Sequence, residues 1–192
     1  MIKAVIFDYG GVIVREKGPF KKIIAKKLRV SFKEFKKALR FWFNKWKIAQ
    51  INEKELWANT LKDLNRNFRI DILKKEIRSQ RINNSVIGIV KGLKKKGKKV
   101  AILSNTGKEW FNDQKKKFGL DRLFDLIVVS FEEGIAKPEK RFYEIAIKRL
   151  GVKPEECILV DDSESNVKVA EEIGMKGIVY RSARDLKMRL KI

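Results

Sequence analysis

The chain has 192 residues, enough for one domain with a large core plus a small inserted module, and its 44% apolar and 10% aromatic content is that of a folded globular protein. Cys157 is the only cysteine and histidine is absent, which excludes an internal disulfide, a thiolate metal cluster, and the commonest general base and zinc ligand. Lys and Arg outnumber Asp and Glu by 46 to 24, a formal net charge of +22, so any catalysis rests on carboxylates, lysine, hydroxyls or a hard cation.

The first apolar run, Lys3 to Phe7, reads as a buried strand, and it is far too short to cross a bilayer or to serve as a secretory signal. A soluble cytoplasmic protein with no membrane partner is the expectation. The interval that follows contains no convincing strand and several helix signals. Ser31 with Glu34 and Asn52 with Glu55 have capping-box spacing. Phe35, Leu39, Trp42 and Trp46 then recur at helical period, as do Leu56, Leu61 and Leu64. The aromatics Phe41, Trp42, Phe43, Trp46 and Trp57 fit the core of a small helical module or the wall of a pocket. Arg15 to Ser85 carries 21 Lys or Arg against 7 Asp or Glu. This basic surplus suits an anionic partner or reflects a compositional bias.

Ser85 is expected to cap a helix presenting Val86, Ile89, Val90 and Leu93 on one face. Four further apolar runs, Lys99 to Leu103, Leu126 to Ser130, Cys157 to Val160 and Gly177 to Tyr180, read as strands, Cys157 being a buried strand residue. Amphipathic stretches separate them, with Lys108 to Phe118 ending at Gly119, Glu139 to Leu150 at Gly151, and Glu164 to Ile173 at Gly174. Those glycines suit the left-handed position that closes a helix. Strand alternating with helix predicts an α/β fold, a parallel sheet flanked by helices.

The chemistry-bearing residues fall at the carboxyl ends of these strands, where parallel sheets bind ligands. The first strand ends in Asp8, followed by Tyr9-Gly10-Gly11. The second runs into Ser104-Asn105-Thr106-Gly107, small donors before a helix N-terminus that suits phosphate or is simply a cap. The loop after the third holds Lys137-Pro138, and the fourth ends in Asp161-Asp162 with Asn166 close behind. Adjacent carboxylates repel unless hydrogen bonds or a cation compensate them, which favours hard-metal ligation.

Together these residues resemble the four motifs of the haloacid dehalogenase superfamily, matched in order by Asp8, Ser104, Lys137 and Asp161-Asp162. The resemblance implies a Rossmann-like core of residues 1–14 and 86–192, with residues 15–85 as a helical cap, and places the first strand centrally with the fourth beside it. It further implies an aspartyl-phosphate mechanism. Asp8 is then nucleophile and Lys137 its catalytic counter-charge, while Ser104 and the Asn105 amide bind the phosphoryl oxygens. Mg²⁺ lies between Asp8, the Gly10 carbonyl, Asp161 and Asp162, with Asn166 behind the carboxylates. The implied substrate is a small phosphorylated metabolite, with a sugar phosphate leading. The departure is Gly10, where most phosphatases of the superfamily carry a second Asp as general acid and base. A hydrolytic dehalogenase is therefore the nearest alternative. A catalytically silent fold binding nucleic acid through its basic cap is a second, although no nucleic-acid motif is present beyond charge.

Overall fold

Runs of Val, Ile and Leu with no polar alternate face must be covered on both sides, and the structure satisfies this with a sheet between helical layers. The computed structural model describes residues 1–15 and 20–191, without the side chains of 20, 76 and 77. In chain order it comprises β1 (Ala4–Phe7), β2 (Val14–Arg15), α1 (Phe20–Lys27), α2 (Phe32–Trp46), α3 (Glu53–Asp63), α4 (Ile70–Arg78), β3 (Arg81–Ile82), α5 (Asn84–Lys95) and β4 (Lys99–Ser104). There follow α6 (Lys108–Phe118), α7 (Leu120–Leu123), β5 (Leu126–Val129), α8 (Ser130–Glu133), α9 (Lys140–Leu150), β6 (Cys157–Asp161), α10 (Glu164–Glu172), β7 (Lys176–Val179) and α11 (Ala183–Arg189).

The main sheet has the order β5-β4-β1-β6-β7 and every pairing in it is parallel. β1 is central, with Phe7 opposite Ile102 on one side and Val160 on the other. Asp8, Ser104 and Asp161 therefore meet at one edge, where the strand order reverses. Val5, Ile6 and Phe7 are at most 1% exposed, each burial stabilising the fold by roughly 1.5–3 kcal/mol. Alternate residues of β1 feed different apolar clusters: Val5 and Phe7 join α5 and α6, whereas Ala4 and Ile6 join α9 and α10.

Helices α1–α4 form a third apolar cluster around Ile24, Phe35, Leu39, Trp46, Leu56, Trp57, Leu61 and Leu73. Both capping boxes are made: Glu34 N donates to Ser31 Oγ at 3.2 Å, Glu55 N to Asn52 Oδ1 at 3.0 Å, and each glutamate accepts from the cap backbone in return. Leu64 is only partly buried, and Trp42 turns outward to donate from Nε1 to Asp63 Oδ2 at 2.7 Å. Among the described residues, no helix is long and apolar enough to cross a membrane.

Two local expectations are corrected. The interval after β1 does contain strands, since Val14–Arg15 pairs antiparallel with Arg81–Ile82; a two-residue strand carries no readable period. The helix expected to begin at Ser85 begins earlier, with Asn83 at the cap position but without a side-chain capping bond. Asn83 Nδ2 instead donates to the Val12 carbonyl at 3.1 Å and to Tyr180 Oη at 3.0 Å, tying the start of α5 to the turn after β1.

Candidate active site

Asp8 leaves β1 with its backbone N–H donating to Val160 O at 2.8 Å, so the sheet itself fixes the carboxylate at the edge. Lys137, 3% exposed, reaches in from the loop before α9. Its Nζ lies 2.6 Å from Asp8 Oδ1 and 2.6 Å from Asp161 Oδ2. Asn105 holds that loop: its Nδ2 donates to Lys137 O and its Oδ1 accepts from Lys137 N, both at 2.8 Å. The Asn105 side chain thus positions the lysine backbone, a job the sequence did not suggest.

Ligand oxygens of Asp8, Asp161 and Asp162 all lie within 4.8 Å of one another. The two aspartates of the β6 end are not equivalent. Asp161 is fully buried, and its Oδ1 accepts from Ser163 N at 2.9 Å and Asn166 Nδ2 at 3.1 Å. Its Oδ2 accepts from Lys137 and again from Asn166 Nδ2 at 3.1 Å. Both of its oxygens are occupied by donors, whereas Asp162 is exposed toward the site. Gly11 sits against Asp162 with φ of +77°, and a Cβ there would stand 2.3 Å from Asp162 Oδ2, so only glycine serves. Gly10 is the opposite case: a Cβ would meet only Asp8 Oδ2, at 4.0 Å.

Burial raises the Asp8 pKa to about 7, Lys137 opposes the rise, and Asp161 and Asp162 add to it. Burial followed by repulsion from Asp161 raises Asp162 as well. For Lys137, burial alone would favour the neutral amine, but Asp8 and Asp161 outweigh it and hold the ammonium charged. Three carboxylates faced by one buried ammonium leave negative charge uncompensated, and an all-oxygen donor set of this kind fits a hard divalent cation.

The carboxylates open onto a cavity of about 430 Å³. One end is lined by Gly10, Gly11, Ser104, Asn105, Thr106 and Asp162, the other by Phe43, Trp46, Arg78, Gln80, Trp110 and Gln114. Of the five aromatics singled out in the helical interval, Phe43 and Trp46 therefore reach the cavity. Trp57 is core, while Phe41 is 55% exposed. Thr106, Arg78, Gln80, Trp110 and Gln114 were not anticipated.

Polar contacts join α1–α4 to α6 beside this cavity. Glu53, 2% exposed, accepts from Trp110 Nε1 at 2.7 Å and from Arg78 Nη2 and Lys74 Nζ, each at 3.2 Å. Glu109 accepts from Trp46 Nε1 and Glu53 N, both at 3.3 Å, and Arg78 Nε donates to Asp113. The fit is close, because a Cβ on Gly107 would stand 1.9 Å from Trp46 Cε2. Ser130 Oγ adds a further link, lying 2.6 Å from Lys47 O and accepting from Thr106 N at 3.0 Å.

A parallel α/β sheet with an aspartate after its central strand, a lysine against it and an acidic pair on the neighbouring strand defines a hydrolase-type site at a topological switch point. Residues 2–174 match the family model described as haloacid dehalogenase-like hydrolase, and the chain belongs to that family. It is similar to YhcW of Bacillus subtilis, 27% identical over 188 residues and covering 93% of this chain and 83% of that one. It is 34% identical over 93 residues to the glyceraldehyde 3-phosphate phosphatase of Methanothermobacter thermautotrophicus, covering 47% of this chain and 40% of that one. With the rat bifunctional epoxide hydrolase 2 it shares 32% identity over 123 residues, 60% of this chain. The chain spans only 22% to 31% of the length of the first curated relatives it matches. Among solved structures, a HAD family enzyme of Bacteroides thetaiotaomicron in a magnesium complex superimposes with TM-score 0.83 at 22% identity, covering 100% of this chain and 99% of that one. An L-2-haloacid dehalogenase of Xanthobacter autotrophicus gives TM-score 0.67 at 18% identity, covering 100% and 83%. At these identities the likeness is one of fold.

Proposed function

We propose that this protein is a magnesium-dependent phosphomonoesterase that works through an aspartyl-phosphate on Asp8. The observation that carries the proposal is the placement of the Asp8 carboxylate, 2.6 Å from Lys137 Nζ, within 4.8 Å of the acidic pair and facing a cavity whose near end offers Ser104, Asn105 and Thr106. Asp8 attacks phosphorus, the bond from phosphorus to the ester oxygen breaks, and the alcohol leaves. Water then cleaves the acyl phosphate, releasing inorganic phosphate and restoring the carboxylate. Lys137 keeps Asp8 oriented and offsets its charge, while Ser104 and the amides that follow bind the phosphoryl oxygens. Asp8, Asp162 and the Gly10 carbonyl would hold the cation. Asp161, its oxygens taken by Lys137, Asn166 and Ser163, acts mainly as the anchor of the lysine. When bound, the cation supplies the positive charge that lets a carboxylate approach a phosphate dianion.

Residues 15–85 serve in this proposal as a cap over the site. Support comes from the polar links that Glu53, Trp46 and Arg78 make to α6 beside the cavity. A sugar phosphate is the favoured substrate, in keeping with the archaeal relative named for glyceraldehyde 3-phosphate. A panel of phosphorylated metabolites assayed with Mg²⁺ and again with chelator tests the proposal. Phosphate release that stops on chelation supports it. A dehalogenase, attacking a neutral carbon, would keep its activity under chelation and release halide from 2-haloacids instead.

A further inference from the structure

We infer that the far end of the cavity is a leaving-group subsite for a polyhydroxylated, sugar-type alcohol, with the Gln114 amide as its specificity determinant. The inference rests on the phosphomonoesterase proposal for the near end, but its own evidence is separate. Gln114 is 3% exposed, lines the cavity, and its Oε1 has no hydrogen-bond partner in the protein. Tyr9 Oη is in the same state: buried, lining the same cavity and without a partner. A buried amide left unpaired costs about 1–3 kcal/mol, so two such groups on one cavity wall call for a ligand that supplies their partners. Gln114 and Trp110 are four apart on α6 and share one face of the helix. Gln114 stands about 9 Å along α6 from its first residue, beyond the reach of the phosphate itself and level with the body of the alcohol.

The remaining walls narrow the chemistry. Phe43, Trp46 and Trp110 give the subsite an aromatic surface, and the C–H faces of a sugar chain pack well on such rings. Trp46 and Trp110 lie on each other with ring centroids 4.3 Å apart, so no slot is open between them for a flat base. Arg78, the cation at this end, is already engaged by Glu53 and Asp113, which argues against a second anionic group on the ligand. An alcohol offering hydroxyls to Gln114 and Tyr9 and C–H faces to the tryptophans satisfies every wall.

The test compares sorbitol phosphate with hexyl phosphate, which share length and leaving-group type but differ in hydroxyls. Turnover is measured with Mg²⁺ on wild type and Gln114→Met. Binding is read separately from tryptophan fluorescence on Asp8→Asn and on the double variant, with inorganic phosphate as control. Wild type is expected to favour sorbitol phosphate by roughly ten-fold or more in kcat/KM and in affinity, and Gln114→Met to collapse that ratio toward one. Circular dichroism checks that the near-isosteric methionine leaves the fold intact. Equal handling of the two esters by wild type overturns the subsite, and a ratio that survives Gln114→Met overturns the assignment to Gln114. Discrimination in binding without turnover of either ester sustains the subsite while refuting the phosphatase proposal. No binding and no turnover refutes both.

Discussion

Replacing Gly10 with aspartate separates the missing acid from the rest of the machinery. A Cβ at Gly10 would meet nothing nearer than Asp8 Oδ2 at 4.0 Å, and Gly10 is not among the glycines with positive φ, so Gly10→Asp fits without strain. The neighbouring Gly11 could not be changed in this way, since its Cβ would overlap Asp162. A carboxyl introduced at position 10 joins three others, and like charges push its pKa upward, keeping it protonated near neutral pH. It then gives the departing ester oxygen the proton that wild type lacks, a contribution of about two to four orders of magnitude when the leaving group is a poor alkoxide. Tyr9 does not substitute for it, because burial pushes its pKa above the ordinary phenol value and makes it a weaker acid. The assay is kcat/KM at saturating Mg²⁺ for p-nitrophenyl phosphate and for sorbitol phosphate. Gly10→Asp is expected to raise the alkyl ester by about a hundred-fold or more and the aryl ester, whose phenolate leaves unaided, by only a few-fold. Equal acceleration of both, or wild-type turnover of the alkyl ester already matching the aryl one, would refute the reasoning by revealing a proton donor already in place.

Three further outcomes follow from the same geometry. Asp162→Ala should weaken Mg²⁺ activation more than Asp161→Ala, because the Asp161 oxygens are spent on Lys137, Ser163 and Asn166; a titration of rate against Mg²⁺ in the reverse order contradicts this. Apparent Mg²⁺ affinity should fall as pH drops through about 7, since the Asp8 pKa is raised to about 7 and below it the cation must displace a proton. Because the raised pKa favours the protonated form, binding strengthens as pH rises; calorimetry showing no proton release at pH near 6 contradicts the assignment. Glu53→Ala should destabilise the protein by about 1–3 kcal/mol in urea melts, by leaving Trp110 Nε1 unpaired and removing the partner of the half-exposed Arg78 and Lys74; Glu53→Gln, which can still accept from Trp110, should cost less.

Much of the core was legible because its signals are local. The α6 boundaries follow from the amphipathic run and the glycine behind it, and Gly119 and Gly151 do adopt left-handed φ of 61° and 64°. Ser31 and Asn52 cap as their spacing predicts because a capping box is completed within four residues. What escaped depends on contacts between distant segments. Gln114 lies in a Lys-rich stretch whose polar residues read as solvated, and it is buried against the cavity. The role of the Asn105 side chain needs Lys137, 32 residues away, to be visible. Glu53 reads as a first-turn helix acid, yet it takes bonds from Trp110, Arg78 and Lys74.

The measurement closest to the central claim is hydrolysis of p-nitrophenyl phosphate by wild type and Asp8→Asn, each with and without Mg²⁺, on protein whose fold is verified by circular dichroism. Wild type is predicted to release phosphate only with the cation, and Asp8→Asn to retain less than about one per cent of that rate. Activity of Asp8→Asn above that level, or wild-type turnover that persists under chelation, would contradict Asp8 as the metal-assisted nucleophile.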